Sequence, residues 1–272
     1  MQHAPRPFLK WVGGKGQLLE QLRPMLPDRL DGHYFEPFVG SAALFFALRP
    51  AVATLSDVNR ELVDCYVAVQ KRVSDVIAAL KAHEYDEERY YRVRQMEPSK
   101  LGLPVRAART IYLNKTGYNG LYRVNRAGRF NVPFGRYTNP GFASAESFDN
   151  LRACSRALKA ATVGVRDFGE VVTHARRGDF VYFDPPYVPL SETSDFTSYV
   201  PGGFGPADQQ RLADVFAELS RAGVLAMLSN SDTPVVRKLY ARYRIDTVTA
   251  SRSINSRATR RGKVLEVVVR NY

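Results

Sequence analysis

The string with the most chemistry in it is Asp184-Pro185-Pro186-Tyr187, set directly after the apolar run Val181-Tyr182-Phe183. Two prolines cannot continue a strand ladder, so they end it and fix the turn. The carboxylate and the ring then project from the strand's C-terminal edge. The Asp184 carboxylate and the Pro185 carbonyl make an acceptor pair beside the flat face of Tyr187. Such a slot suits a planar heterocycle bearing an exocyclic amine; the bland alternative is a proline-rich turn with a surface tyrosine. A second candidate is Phe35-Glu36-Pro37-Phe38-Val39-Gly40-Ser41. A glycine there lets the backbone approach a ligand, and a helix opening at Ser41 offers free N–H groups. Asp57 follows 17 residues later at the end of another apolar run. An acid at such a strand end accepts hydrogen bonds from ribose hydroxyls, or else it caps the next helix. Together Gly40 and Asp57 lean toward an adenosine-containing ligand.

These residues need a sheet to carry them. A strand near His33–Phe38, a helix near Ser41–Leu48, a strand over Val52–Ser56 and a helix capped by Asn59 through about Arg72 make a β-α-β-α pattern, so part of the sheet is parallel. From about 73 to 116 the apolar spacing is helical, as at Val76, Ile77 and Leu80. The stretch 117–142 is rich in Gly, Pro and Asn and reads as a long loop, a feature that is usually functional or disordered. The β-α rhythm then resumes: a helix over Ser144–Lys159, strands at Ala161–Val165 and Phe180–Phe183, and a helix over Pro206–Arg221. Leu212, Val215, Phe216 and Leu219 recur on that last helix at 3.6-residue spacing. A buried strand, Val224–Ser229, a short helix from Thr233 and strands near 243–250 and 264–270 finish the chain. The simplest architecture is one α/β domain made from both ends, with a basic helix-and-loop segment of about 60–140 inserted. A length of 272 residues fits one large domain or two small ones.

The charge is local. Eleven Lys/Arg stand against one acid, Glu97, between Arg89 and Arg136, and five basic residues with no acid lie between Arg252 and Lys263. Those two segments carry +15 of a formal net +12, which leaves −3 for the rest. Basicity so confined points to a polyanion, and Tyr118, Tyr122, Phe130, Phe134 and Tyr137 interleave with the arginines as on surfaces that hold phosphates and stack on bases. Solvated helix faces are the bland reading. Two cysteines, Cys65 and Cys154, exclude a disulfide scaffold and a cysteine-based zinc module. No apolar run approaches the ~18 residues of a membrane span, and the first residues lack the apolar core of a signal peptide. The expectation is a reducing, cytoplasmic compartment, with no membrane and no metal.

Taken in order, the motifs resemble those of the Dam-type DNA adenine methyltransferases, which use S-adenosylmethionine. Phe8-Leu9-Lys10-Trp11-Val12-Gly13-Gly14-Lys15 is similar to that family's opening motif, Glu36-Pro37-Phe38-Val39-Gly40 to its cofactor turn, Asp57-Val58-Asn59 to its ribose-binding acid and Asp184–Tyr187 to its catalytic motif. Gly117-Tyr118-Asn119-Gly120-Leu121-Tyr122-Arg123 and Phe130-Asn131-Val132-Pro133-Phe134-Gly135-Arg136-Tyr137 resemble its DNA-reading loop, and Ser229-Asn230 and Arg252-Ser253-Ile254 also fit. The resemblance runs nearly end to end, in the alpha arrangement. One departure is Ala42, where the family usually has a second glycine two residues after the first; its methyl group bears on cofactor affinity.

The resemblance implies an α/β fold: a Rossmann-like methyltransferase sheet with helices on both faces, residues 1–58 and 141–272, and an inserted helical and loop DNA-recognition domain, residues 59–140. It implies catalytic roles for Asp184, Pro185 and Tyr187. Trp11, Lys15, Phe38, Gly40, Asp57 and Asp184 would bind S-adenosylmethionine, with Trp11 beside the sulfonium and Lys15 orienting the methionine carboxylate. Without the resemblance, Trp11 reads as a core aromatic and Lys15 as a solvated lysine. Lys10, Tyr118, Asn119, Leu121, Arg123, Pro133, Arg136 and Arg252 would touch double-stranded DNA, Tyr118 as a wedge into the stack and Arg123 on a guanine edge, within GATC or a related site. A cognate restriction endonuclease acting separately is a compatible partner. A cytosine-amine or RNA-adenine methyltransferase would share the slot, since the slot reads an amine. A glutamine methyltransferase usually carries Asn where Asp184 stands. A DNA-binding regulator with a dead catalytic fold would not need an intact Asp184–Tyr187.

Overall fold

The computed structural model describes residues 4–11, 13–125, 127–189, 203–251 and 263–272. Its strands are β1 (Tyr34–Glu36), β2 (Ala53–Asp57), β3 (Ala161–Val165), β4 (Phe180–Phe183), β5 (Leu225–Ser231), β6 (Arg244–Ser251) and β7 (Lys263–Arg270). They form one sheet in the order β3-β2-β1-β4-β5-β7-β6. β1 to β5 run parallel, and β7 is antiparallel to both β5 and β6. Side chains alternate between two cores, as the period of two in a strand requires. Phe180 and Tyr182 of β4 enter one core and Val181 and Phe183 the other. Apolar residues on successive positions of β4 and β5 therefore mean a sheet buried on both faces. Each such side chain contributes about 1.5–3 kcal/mol when fully buried.

The helices are α1 (Leu19–Leu22), α2 (Ala43–Leu48), α3 (Arg60–Lys81), α4 (Glu87–Gln95), α5 (Leu103–Thr116), α6 (Ala145–Leu158), α7 (Val171–His174), α8 (Pro206–Arg221) and α9 (Pro234–Leu239). Asn59 starts α3 as expected, its side chain accepting the Leu62 N–H at 3.2 Å. The expected stop near Arg72 is only a local break (φ −138°, ψ 36°), and the helix resumes to Lys81. The helical run beyond it is three pieces: the end of α3, then α4 capped by Asp86, then α5. α3 and α5 are bound by ion pairs of low exposure, Arg109 to Glu61 at 3.2 Å and Arg106 to Asp64 at 2.5 Å. Arg109 also donates to the carbonyls of Val93 and Arg94 at the end of α4, where unpaired carbonyls favour a cation. Past α5 the described residues form no regular element until α6, apart from one 3₁₀ turn, Tyr118–Gly120, and two isolated bridges, Gly117 with Phe134 and Val124 with Phe130. Among the described residues no helix is long and apolar enough to cross a membrane.

Candidate active site

The strand order reverses between β1 and β4: β2 and β3 lie on one side of β1, while β5 continues from β4 on the other. A reversal of this kind opens a crevice at the strands' C-terminal ends. β4 delivers Asp184 there, β1 the turn through Gly40, and β2 delivers Asp57.

At the β4 end, the Lys15 ammonium lies 2.6 Å from Asp184 Oδ1 and 2.6 Å from the Gly13 carbonyl, and 4.7 Å from the centre of the Tyr187 ring. Lys15 is 3% exposed. This corrects the reading of a solvated lysine, and the recorded partner of its charge is the Asp184 carboxylate. Tyr187 donates its phenol proton to Glu266 Oε2 at 2.8 Å. Burial pushes the Asp184 carboxyl up to about 6, against the pull of the Lys15 charge and hydrogen bond. Burial also pushes Glu36 up to about 8, opposed by the hydrogen bond from Tyr34, 2.8 Å from Glu36 Oε2. The Tyr187 phenol is raised well above its ordinary range, first by burial and then by the charge of Asp184. Three carboxyls and one lysine thus share this end of the sheet.

At the β2 end, Asp57 Oδ1 accepts the Asn59 N–H at 2.9 Å, and burial lifts the carboxyl to about 6 against hydrogen bonds from the Asn59, Gly40 and Val58 backbone. The helix cap is Asn59, two residues beyond Asp57, so the bland reading of Asp57 as that helix's cap is not what is found. Gly40 has φ +44°, and a Cβ there would stand 3.1 Å from Trp11 Cδ1, so both the turn and the indole require glycine. Ala42 is also left-handed, at φ +53°, and only 1% exposed. It lines a small crevice with Lys15, Glu36, Ser41 and Asp184. α2 begins at Ala43, two residues later than expected. Phe38 stacks on Phe168 (5.2 Å, 24°) and meets Phe204 edge-on.

The loop after α5 is pinned from behind by phenols. Tyr90 donates to the Val132 carbonyl at 2.9 Å, Tyr85 to Gly135 at 2.6 Å and Tyr137 to Gly117 at 2.9 Å. Of the five aromatics that interleave with its arginines only Tyr118 is exposed, at 47%; Tyr122 and Phe130 are buried, and Phe134 and Tyr137 half-buried. The stacking surface expected from composition is therefore mostly the loop's own core, because a long loop lacking ladder bonds needs packing to hold it. Trp11 is stacked on Tyr122 (5.1 Å, 28°), which ties the opening motif to the loop. Asn119, Arg123, Pro133 and Arg136 are exposed beside Tyr118, while Leu121 is half-buried. Arg123 Nε donates to Asn131 Oδ1 at 2.8 Å, and Arg136 is 3.5 Å from Glu87. Lys10, exposed, sets its ammonium 4.7 Å from the Tyr137 ring centre, and its backbone is held by Asn114. Arg252 lies outside the described residues, as do Arg126 and Val12.

Sequence reasoning missed Glu266, Gln209 and Tyr182. Glu266 is a lone acid within an apolar strand, and Gln209 a polar residue on the same helical stripe as Leu212 and Phe216. Acids and amides at core positions are kept only with partners, and that was the available signal.

The family model of D12 class N6 adenine-specific DNA methyltransferases matches residues 11–254. A type II methyltransferase of Lactococcus lactis subsp. cremoris is 42% identical over 98% of this chain and 95% of its own length. One from Methanocaldococcus jannaschii is 40% identical over 98% of this chain and 99% of its own length. The DNA adenine methylase of Escherichia coli is 35% identical over 97% and 94%.

Proposed function

Because the chain belongs to the D12 class of N6 adenine-specific DNA methyltransferases, we propose that Asp184, Pro185 and Tyr187 receive its target adenine and activate the exocyclic amine. The enzyme is an adenine-specific DNA methyltransferase and uses a methyl donor; the donor we assign is S-adenosylmethionine. When bound, that cofactor supplies an electrophilic methyl group on a sulfonium. The residues at the crevice fit it: Asp57 offers an acceptor for ribose hydroxyls, Gly40 a turn with no side chain in the way, and Trp11 and Phe38 aromatic faces. Lys15 and Asp184 add a charged pair at the methionine end.

The amine of adenine is a poor nucleophile because its lone pair is delocalised into the ring. An Asp184 carboxylate and a Pro185 carbonyl accepting its two N–H groups draw it toward tetrahedral geometry. They also stabilise the charge that builds on nitrogen, from positions fixed in advance. The Asp184 carboxylate is then the acceptor within reach for the proton that the amine gives up. Tyr187 stacks on the ring. A base inside a duplex is unreachable, so it must be flipped out at a cost of a few kcal/mol. Residues 59–140 form the DNA-reading insert in this scheme: exposed Tyr118 fills the gap, Arg123 reads a guanine of GATC or a related site, and Asn119, Leu121, Pro133 and Arg136, with Lys10 and Arg252 from outside the insert, hold the double-stranded DNA. An enzyme that acts on genomic DNA would work in the cytoplasm, at the nucleoid, and we assign it there. The type II relatives favour a restriction endonuclease acting separately as its partner.

The observation that carries this reading is the Asp184 carboxylate in the crevice, paired with Lys15. Asp184→Ala should lower tritiated-methyl transfer to duplex DNA by at least ~10²-fold, the usual loss for one preorganised group. DNA binding should survive, since affinity comes mainly from phosphates. Turnover within tenfold of wild type would sink the assignment.

A further inference from the structure

Beside the Lys15 ammonium, 4.7 Å from its ring centre, Tyr187 is fixed by hydrogen bonds to its phenol and to the peptides on either side of it. Its phenol donates to Glu266 Oε2 at 2.8 Å. The peptide before it is fixed through Pro186, whose carbonyl accepts from Gln209 Nε2 at 2.9 Å. The peptide after it is fixed through Val188, whose N–H donates to Asn230 Oδ1 at 3.1 Å. The two amides also hold one another, Asn230 Nδ2 donating to Gln209 Oε1 at 3.1 Å. That bond leaves one orientation for each amide. Gln209 must turn its nitrogen to Pro186, and Asn230 its oxygen to Val188 and to the Ser231 N–H at 2.9 Å. Gln209 is 3% exposed and Asn230 is not exposed, so water cannot replace either contact cheaply. Ser231 Oγ closes the frame on the Val188 carbonyl at 2.6 Å.

We propose that Glu266, with Gln209 and Asn230 behind it, is a positioning residue that sets Tyr187 as a rigid stacking platform before the target base arrives. The proposal rests on the reading that Tyr187 stacks on the target adenine. None of the three need touch DNA or cofactor. They act by removing the freedom Tyr187 would otherwise lose on binding the base, and by holding the ring in register with the Asp184 and Pro185 acceptors. A ring free to swing still lets the duplex bind, because the phosphates supply that affinity, but presents the amine out of line. The signature is therefore a fall in kcat with KM for DNA kept.

The test compares Glu266→Leu, Glu266→Gln, Tyr187→Phe, the Glu266→Leu/Tyr187→Phe double variant and Tyr187→Ala. The readouts are kcat and KM on a duplex substrate, and fluorescence of 2-aminopurine at the target position. Glu266→Leu and Tyr187→Phe should each lower kcat about tenfold with KM within about twofold, and the double variant should lose no more than either alone. Glu266→Gln keeps an acceptor oxygen for the phenol and should restore kcat to within about threefold of wild type. The 2-aminopurine signal should rise in Glu266→Leu, as an extruded base without a fixed stacking partner is less quenched. Glu266→Leu within about twofold of wild type, beside a Tyr187→Ala loss of about 10²-fold, overturns the proposal; so do additive losses in the double variant. Should Glu266→Leu fail to fold, Tyr187→Phe removes the same bond from the other side, and a Tyr187→Phe kcat at the wild-type value overturns it alone. A Tyr187→Ala enzyme with wild-type kcat and fluorescence instead refutes the parent reading of a stacked base.

Discussion

Replacing Lys15 by methionine keeps much of the side chain's bulk and removes the one lysine at the Asp184 carboxylate. The ammonium sits 2.6 Å from Asp184 Oδ1 and opposes the burial that lifts the carboxyl to about 6. An opposite charge at such range favours the ionised form, so in the variant the carboxyl moves further up. At pH 7 a smaller fraction of Asp184 is then ionised than in the wild type. If the amine is activated by the ionised form, kcat at pH 7 drops by up to roughly 10²-fold, and raising the pH to 9 restores part of it. The stability sign follows from the same shift. Above 3.8 the unfolded carboxyl loses its proton, while the folded one keeps it to about 6. Folded stability therefore falls as pH rises through that window, and in the variant the fall extends to higher pH. The assay is methyl transfer at saturating donor from pH 5 to 9.5, with thermal melts at each pH. An acid limb that stays near pH 6, or a deficit of equal size at every pH, refutes the argument and returns Lys15 to donor binding.

Three further outcomes test other parts of the site. Asp57→Ala should weaken S-adenosylmethionine binding by ~1–3 kcal/mol, the loss of a charge-assisted hydrogen bond; an unchanged dissociation constant by calorimetry would leave Asp57 only its backbone contacts with Asn59 and Gly40. Ala42→Gly relieves a left-handed alanine at φ +53° but adds freedom to the unfolded chain, so urea unfolding should shift by less than about 1 kcal/mol. A loss above 2 kcal/mol would show that the buried methyl group matters more than the backbone. Arg123→Ala should relax sequence preference at one base by ~1–3 kcal/mol, seen as a smaller ratio of kcat/KM between target and one-base variants. A constant ratio with both rates reduced makes Arg123 a phosphate clamp.

What was legible in the sequence was what local physics dictates. Two prolines after an apolar strand end it wherever the rest of the chain goes, so Asp184 and Tyr187 were found at a strand's edge. Asn59 capped its helix, and the Gly- and Asn-rich stretch after Thr116 made a loop. What escaped depends on partners far along the chain. Lys15 and Asp184 are 169 residues apart and Tyr187 and Glu266 are 79, so nothing in either neighbourhood announces a pair. The loop aromatics failed for a related reason. Composition shows that Tyr122 and Phe130 interleave with arginines, but not that Trp11 stacks on Tyr122 and that both rings are buried against each other. The αL conformation of Ala42 was hidden because a side chain does not report its backbone angle. The family's usual glycine at that place was the hint.

The division of charge follows from the fold rather than from composition. The strands' C-terminal ends carry Asp57 and Asp184, with Glu36 and Glu266 close by. Lys15 is ion-paired with Asp184 there. The larger basic segment, Arg89–Arg136, lies instead between β2 and β3, and phenols bonded to carbonyls of its loop hold that loop in place. A uniform +12 would repel a cationic donor. On the proposed assignment, keeping the positive charge away from the crevice lets a polyanion and a cationic donor meet different fields.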